Sequence, residues 1–372
     1  MFYRQSIRYN GGYEADTSLY VNMSIDDRGI RLIKWIYHYL YALRGDTVLI
    51  AFYMGLVVVI TAIGNYAIIR WYQRYKSLDS ESTSRLYAQI ASLLMFVTGS
   101  MYLPIIHPRF YKGSWCTYAW HSPTQQLMIM FAMFSLLVFL MIYEKYEKRI
   151  NPFLWMLLMI FTLMSVWAKP SFMLVFIPTL IAVFIIELLK HKREGQLWKR
   201  FSKLFVFGLS MVPSGLLILF LNNSIFGEGS SNKVAVNTGG HAFGYNIYIA
   251  AFCGLLFPTI VMMANYRKLK ELPFQIALGM LIMGIAEWMV FFEDGSRGSS
   301  GNFAWGRQFG CYYFFVCAIA ITYYNIKDGE FMAADNSRRR WYLIIIGLVF
   351  AIHVLSQTYH LYLMFRGYDF YC

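Results

Sequence analysis

Residues Glu293 to Arg307 read EDGSRGSSGNFAWGR, a polar loop set between two apolar runs at 273–292 and 309–325. That alternation decides the fold, because runs of this length cross a bilayer as helices and the loop between them belongs in water. The loop concentrates two acids, two arginines, an amide, a tryptophan and four glycines in fifteen residues. It is either a solvated connector or a ligand-contacting loop, and its surroundings favour the second reading.

Composition points the same way. With 58% apolar residues, 14% charged residues and a mean hydropathy of +0.46 over 372 residues, the chain is not an ordinary soluble domain. The reading is an all-α polytopic membrane protein with about ten transmembrane helices. The segments are 47–69, 86–106, 125–143, 153–167, 171–189, 204–221, 245–264, 273–292, 309–325 and 341–364. Residues 1–45 form an outer-face segment with an interfacial helix, and 46–372 form the transmembrane domain. The pair at 153–167 and 171–189 reads as a tight hairpin, since Pro170 interrupts the helical pattern and pushes Lys169 out of helical geometry.

Positive charge sets the orientation. If the first span ends in the cytoplasm, the inner connections hold 20 Lys and Arg, against seven in the outer loops and C-terminal tail. The expected location is therefore the inner (plasma) membrane, multi-pass, with the polar loop on the outer face. The +13 net charge belongs mostly to the cytoplasmic, lipid-facing surface and does not indicate nucleic acid. The basic N-terminal segment would then be exported with nothing apolar ahead of it, so a further span upstream of Met1 is expected.

From the N-terminus, Asp16 and Tyr20 stand four apart and share a face if their stretch is helical. Asp16 is alternatively a helix cap or a surface acid. Between Ile30 and Leu43, Arg31, Lys34 and His38 form one polar stripe on an apolar helix suited to lie on the membrane. His121 precedes a helix start in which Ser122 can cap and Pro123 suits the first turn. Lys169 precedes Pro170 in the same way, and Arg307 leads from the polar loop into the ninth segment. These three basic side chains at three outward-facing helix N-termini suit an anion, above all phosphate. The bland readings are an interfacial packing histidine and a lysine that snorkels for its own solvation.

Residues 222–244, rich in Gly, Ser and Asn, read as an outer loop, either one able to close over a ligand or simple slack between spans. Glu287 lies within the eighth segment, where a carboxylate costs about 2.5 kcal/mol or more. It should face a polar interior or hold a helix-to-helix hydrogen bond. Trp305 offers an aromatic face of the kind sugars stack against, while Phe303 and Trp305 also suit a headgroup anchor. Cys253, Cys311 and Cys317 lie in spans, and only Cys116 and Cys372 could meet outside. No metal-spaced pair, P-loop, dinucleotide glycine fingerprint or hydrolase elbow occurs, which argues against a cytosolic nucleotide donor.

Several motifs together carry a resemblance: Gly12-Tyr13-Glu14-Ala15-Asp16, Trp120-His121-Ser122-Pro123-Thr124, Lys169-Pro170-Ser171, Glu293-Asp294-Gly295-Ser296-Arg297 and Gly301-Asn302-Phe303-Ala304-Trp305-Gly306. The chain resembles the GT-C class of integral membrane glycosyltransferases, in its bacterial branch, along most of its length. The resemblance implies transfer of a sugar from a polyprenyl-phosphate carrier to a glycan, lipid or protein acceptor in envelope polysaccharide synthesis. It implies Asp16 as the catalytic acid, acting as general base or as ligand of a divalent cation, with Glu293 as the second acid. It implies His121, Lys169, Arg297 and Arg307 on the donor phosphate, and Tyr20, Asn302 and Trp305 on substrate. Relatives are expected to carry a span before the Asp16 loop and an Asn at the position of Ser122. The alternatives are a polysaccharide polymerase or ligase, which typically has a larger outer loop, and a lipid-linked sugar transporter or flippase, which would show internal repeats.

Overall fold

A computed structural model describes residues 1–7, 16–26, 29–78, 82–105, 115, 118–190, 197–226, 233–236, 247–294, 302–327 and 336–366. Among these the chain is helical, apart from two short strands and the turns between elements. The N-terminal part holds α1 (Phe2–Ile7), α2 (Asp16–Asp26) and α3 (Leu32–Arg44). The bundle follows as α4 (Val48–Tyr75), α5 (Ser82–Leu94), α6 (Pro123–Tyr143), α7 (Pro152–Ala168), α8 (Ser171–Lys190), α9 (Leu197–Leu209) and α10 (Val212–Phe226). It closes with β1 (Lys233–Val236), α11 (Ile247–Ala264), α12 (Leu272–Val290), β2 (Phe291–Asp294), α13 (Ala304–Lys327) and α14 (Asn336–Arg366).

Six of these helices, α4, α6, α8, α12, α13 and α14, are long and apolar enough to cross a membrane. The bent pair α9 and α10, which meet at 45°, makes a seventh if taken as one span. This is a smaller set than the ten expected. The shortfall has local causes, since α7 and α11 are apolar but short and the segment expected at 86–106 is broken.

In that segment α5 stops at Leu94 and the chain runs extended past Gly99. Buried extended backbone needs partners, and α14 and α11 supply them. The Tyr102 amide donates to Ser356 Oγ at 2.9 Å, and the Met101 amide donates to the Cys253 carbonyl at 2.9 Å. His353 Nδ1 meets the Gly99 carbonyl at 2.5 Å, and Gln357 packs on Gly99 itself. His353, Ser356, Gln357 and His360 thus form a buried stripe with helical spacing on α14, turned inward rather than to lipid.

At the centre stands α13, buried from Gly306 to Ile321. It packs along α12 closely enough for backbones to touch, because Gly306 and Gly310 on α13 and Gly284 on α12 carry no side chain. A Cβ on Gly310 would lie 2.7 Å from the Leu281 Cα, and one on Gly284 would lie 2.5 Å from the Arg307 Cα. Polar pairs tie the core. Gln125 donates to Gln308 Oε1 at 2.6 Å, and Tyr312 donates to Asn65 Oδ1 at 2.8 Å.

One end of the bundle carries ion pairs. Lys76 and Lys268 meet Glu271 at 2.6 and 3.4 Å, and Arg200 meets Glu147 and Glu187 at 2.6 and 3.6 Å. At the opposite end, the last two residues of the span expected at 273–292 and the first two of the polar loop form a strand. Four residues of β2 pair antiparallel with β1, with Val234 opposite Glu293. This strand pair was not expected. It means that α12 ends at Val290 and that Glu293 sits on a strand, buried, rather than on a continuing helix.

Candidate functional site

The site is built around the break between α7 and α8. Lys169 caps α7 with extended backbone (φ −165°, ψ 131°), as the following proline demands, and its amide still donates to the Ser165 carbonyl at 2.8 Å. Its side chain is buried, and the ammonium stands 4.0 Å from the centre of the Trp305 ring. The same ring meets His121 with centroids 5.5 Å apart. Trp305 is fixed from both sides of its backbone. Its amide donates to the Asn302 carbonyl at 3.3 Å, and its carbonyl accepts from Gln125 Nε2 at 3.3 Å.

Lys169 also lines a cavity of about 480 Å³ at this end of the bundle. Its polar wall is Arg31, Lys169, Ser171, Asn222, Glu287, Glu293 and Asn302. Toward the middle of the bundle the wall becomes apolar, with Leu174 and Pro178 of α8, Ile218 and Leu221 of α10 and Met283 of α12. Trp167, Phe291 and Phe303 add aromatic surface, and Val234 of β1 closes one side. The Glu293 carboxylate is buried and accepts from Asn302 Nδ2 at 2.7 Å. Glu287 projects from the cavity-facing side of α12 toward Gly306, where a Cβ would stand 2.6 Å from its Oε2.

The expected residues do not all meet here. Lys169, Glu293 and Asn302 share the cavity wall. Trp305 and His121 stand behind Lys169 and off that wall, so the Trp305 ring backs the lysine instead of facing open space. Arg307 does not precede the helix but lies in its first turn, because α13 already starts at Ala304. It is fully buried, its guanidinium 3.8 Å from the Trp288 ring and 4.2 Å from the Trp115 ring, and it does not line the cavity. Arg297 lies outside the described residues, as do Cys116, Cys372 and most of the loop at 222–244.

Asp16 opens α2 half-buried, and α2 does place Tyr20 on the next turn. Neither residue lines the cavity. Their link to it is Arg31, whose Nη1 donates to Tyr20 Oη at 3.4 Å while the side chain reaches the wall. Burial pushes the phenol of Tyr37 well above its ordinary range, with Tyr53, Tyr20 and Asp16 adding to the shift, so this hydroxyl stays neutral beside them. Ser122 occupies the N-cap of α6 by backbone geometry, but its hydroxyl pairs with Thr124 Oγ1 at 3.4 Å and caps nothing.

Sequence reasoning missed Arg31, Ser171 and Asn222 as cavity residues. Arg31 read as part of an interfacial stripe, and only the packing of α3 on α7, including the Trp167 indole donating to the Ile30 carbonyl at 2.8 Å, turns it inward. Glu287 carried a signal in its cost within an apolar run. For the divalent cation, no three His, Cys, Asp or Glu side chains gather among the described residues. Among the described residues the protein donor set for a metal centre is therefore incomplete. No protein family, curated protein or solved structure matches this chain.

Proposed function

We propose that this protein is a multi-pass membrane glycosyltransferase that moves a sugar from a polyprenyl-phosphate carrier to an acceptor on the outer side of the membrane. The observation that carries the reading is the cavity itself. It joins a polar mouth holding a buried lysine and two carboxylates to an apolar shaft between helices. A lipid-linked phosphate has the same division, a charged head beside a sugar and a long apolar tail.

In this reading Lys169 neutralises the carrier phosphate and the charge that grows on it as the sugar departs. Trp305 holds the ammonium in place from behind. Phe303 and Trp167 offer flat faces to the sugar, and Glu293 with Asn302 receives hydroxyl groups. Arg307 frames the first turn of α13 within its tryptophan pair. The extended segment after α5 and the short helices α7 and α11 are taken as further crossings, which restores ten, and α3 as a helix lying at the interface. The basic clusters at the end away from the cavity then face the cytoplasm.

The test uses membranes containing the full chain and polyprenyl phosphate carrying a radiolabelled hexose or pentose. Label passing to membrane acceptor, lost in Lys169→Ala, is the expected result. Flipping of the same lipid without sugar release would instead identify a transporter.

A further inference from the structure

Two carboxyl groups line the cavity among the described residues, and they differ in what they already hold. Glu293 Oε2 accepts from Asn302. Glu287 Oε2 is buried and accepts no hydrogen bond among the described residues. Its place is kept open by a neighbour, since any side chain at Gly306 would collide with this oxygen and with Val175 Cγ1, each 2.6 Å from the Cβ position. On α12, Met283, Ala286, Glu287 and Val290 all line the cavity, so Glu287 lies where the cavity-facing side of that helix borders its contact with Gly306 of α13. Lys169 lines the same cavity from the α7–α8 break, and α8 is packed directly on α12. One carboxyl oxygen of Glu287 thus has no hydrogen-bond partner among the described residues, on a residue that lines the cavity.

We propose that Glu287 is the general base of the transfer, an assignment that rests on the glycosyltransferase reading. The acceptor hydroxyl gives its proton to the Glu287 carboxylate as its own oxygen bonds to the anomeric carbon of the sugar. The bond from that carbon to the carrier phosphate oxygen breaks, and the electron pair stays on the phosphate beside Lys169. Water then takes the proton from Glu287. Asp16 lies off the cavity wall, and Glu293 already accepts from Asn302 through Oε2.

The test compares the full-length wild type, Glu287→Gln and Glu287→Asp in membranes, with polyprenyl phosphate carrying a radiolabelled hexose or pentose, and with and without azide. Azide attacks the anomeric carbon without a proton to remove. Glu287→Gln is expected to lose transfer to hydroxyl acceptors by about 10²- to 10⁴-fold while keeping donor binding and the azide reaction. Glu287→Asp is expected to retain part of the hydroxyl transfer. Wild-type transfer by Glu287→Gln overturns the assignment and leaves the transferase reading standing. Equal loss of the hydroxyl and azide reactions, or of donor binding, shows a structural role and also overturns it. A wild type that turns over no donor overturns the transferase reading and the base with it.

Discussion

The ammonium of Lys169 stands 4.0 Å from the centre of the Trp305 ring, and both groups are held by backbone features that a side-chain substitution leaves in place. Lys169 is set by the proline that follows it, and Trp305 by its bonds to Asn302 and Gln125. Replacing one member therefore tests the contact and not the fold.

Lys169→Ala should weaken binding of labelled polyprenyl phosphate by about 10- to 100-fold, the worth of a charge-assisted hydrogen bond. Trp305→Leu should cost less, roughly 2- to 30-fold, because it removes only the ring beneath the charge. Equilibrium binding to the purified protein in nanodiscs gives both numbers. A larger effect from Trp305→Leu than from Lys169→Ala would contradict the division of roles.

Arg307 behaves differently because it is fully buried between Trp288 and Trp115. Arg307→Ala leaves two indoles facing a void and should lower stability by about 3 kcal/mol or more. Arg307→Lys keeps the charge but not the flat stacking surface, and should fall between the two. Denaturation in detergent followed by tryptophan fluorescence reads this order. Lys169→Ala should show little change in the same experiment.

The α12–α13 contact rests on absent side chains. Gly310→Val should destabilise the bundle by about 1–3 kcal/mol through overpacking, since the new Cβ meets the Leu281 backbone. Gly55→Ala in α4, where nothing lies within 4 Å of the new atom, should be neutral or stabilising by up to about 1 kcal/mol. Melting curves of the two variants against the wild type make the comparison. An equal drop for both would mean that the close approach is not what the glycines serve.

Orientation has its own test. Val236 on β1 and Tyr266 after α11 are exposed at opposite ends of the bundle. In a variant without native cysteines, Val236→Cys should react with an impermeant maleimide on intact cells. Tyr266→Cys should react only after permeabilisation. The reverse pattern would place the cavity on the cytoplasmic side.

Much of the architecture was legible because it depends on neighbours in sequence. Pro170 breaks the pattern after Ala168, Pro123 opens α6, and Asp16 and Tyr20 fall on one helix face, all through local backbone rules. Glu287 was visible as a charge in an apolar run. The broken span after α5 was not legible, because the signal lies elsewhere: residues 86–106 as a whole read as one span, and the groups that satisfy the backbone where it breaks are on α14 and α11.

What the sequence by itself determined is therefore the class of molecule, a bundle of apolar helices with its basic residues gathered at one end, since hydropathy and charge act on each segment separately. The meeting of Lys169, Glu287, Glu293 and Asn302 on one cavity, the withdrawal of Arg307 into a tryptophan pair and the place of Asp16 off the cavity wall came only from the packed structure. Helix spacing says which side of its own helix a residue occupies. Which neighbour that side meets is set by glycine contacts, a strand pair and buried hydrogen bonds between distant parts of the chain.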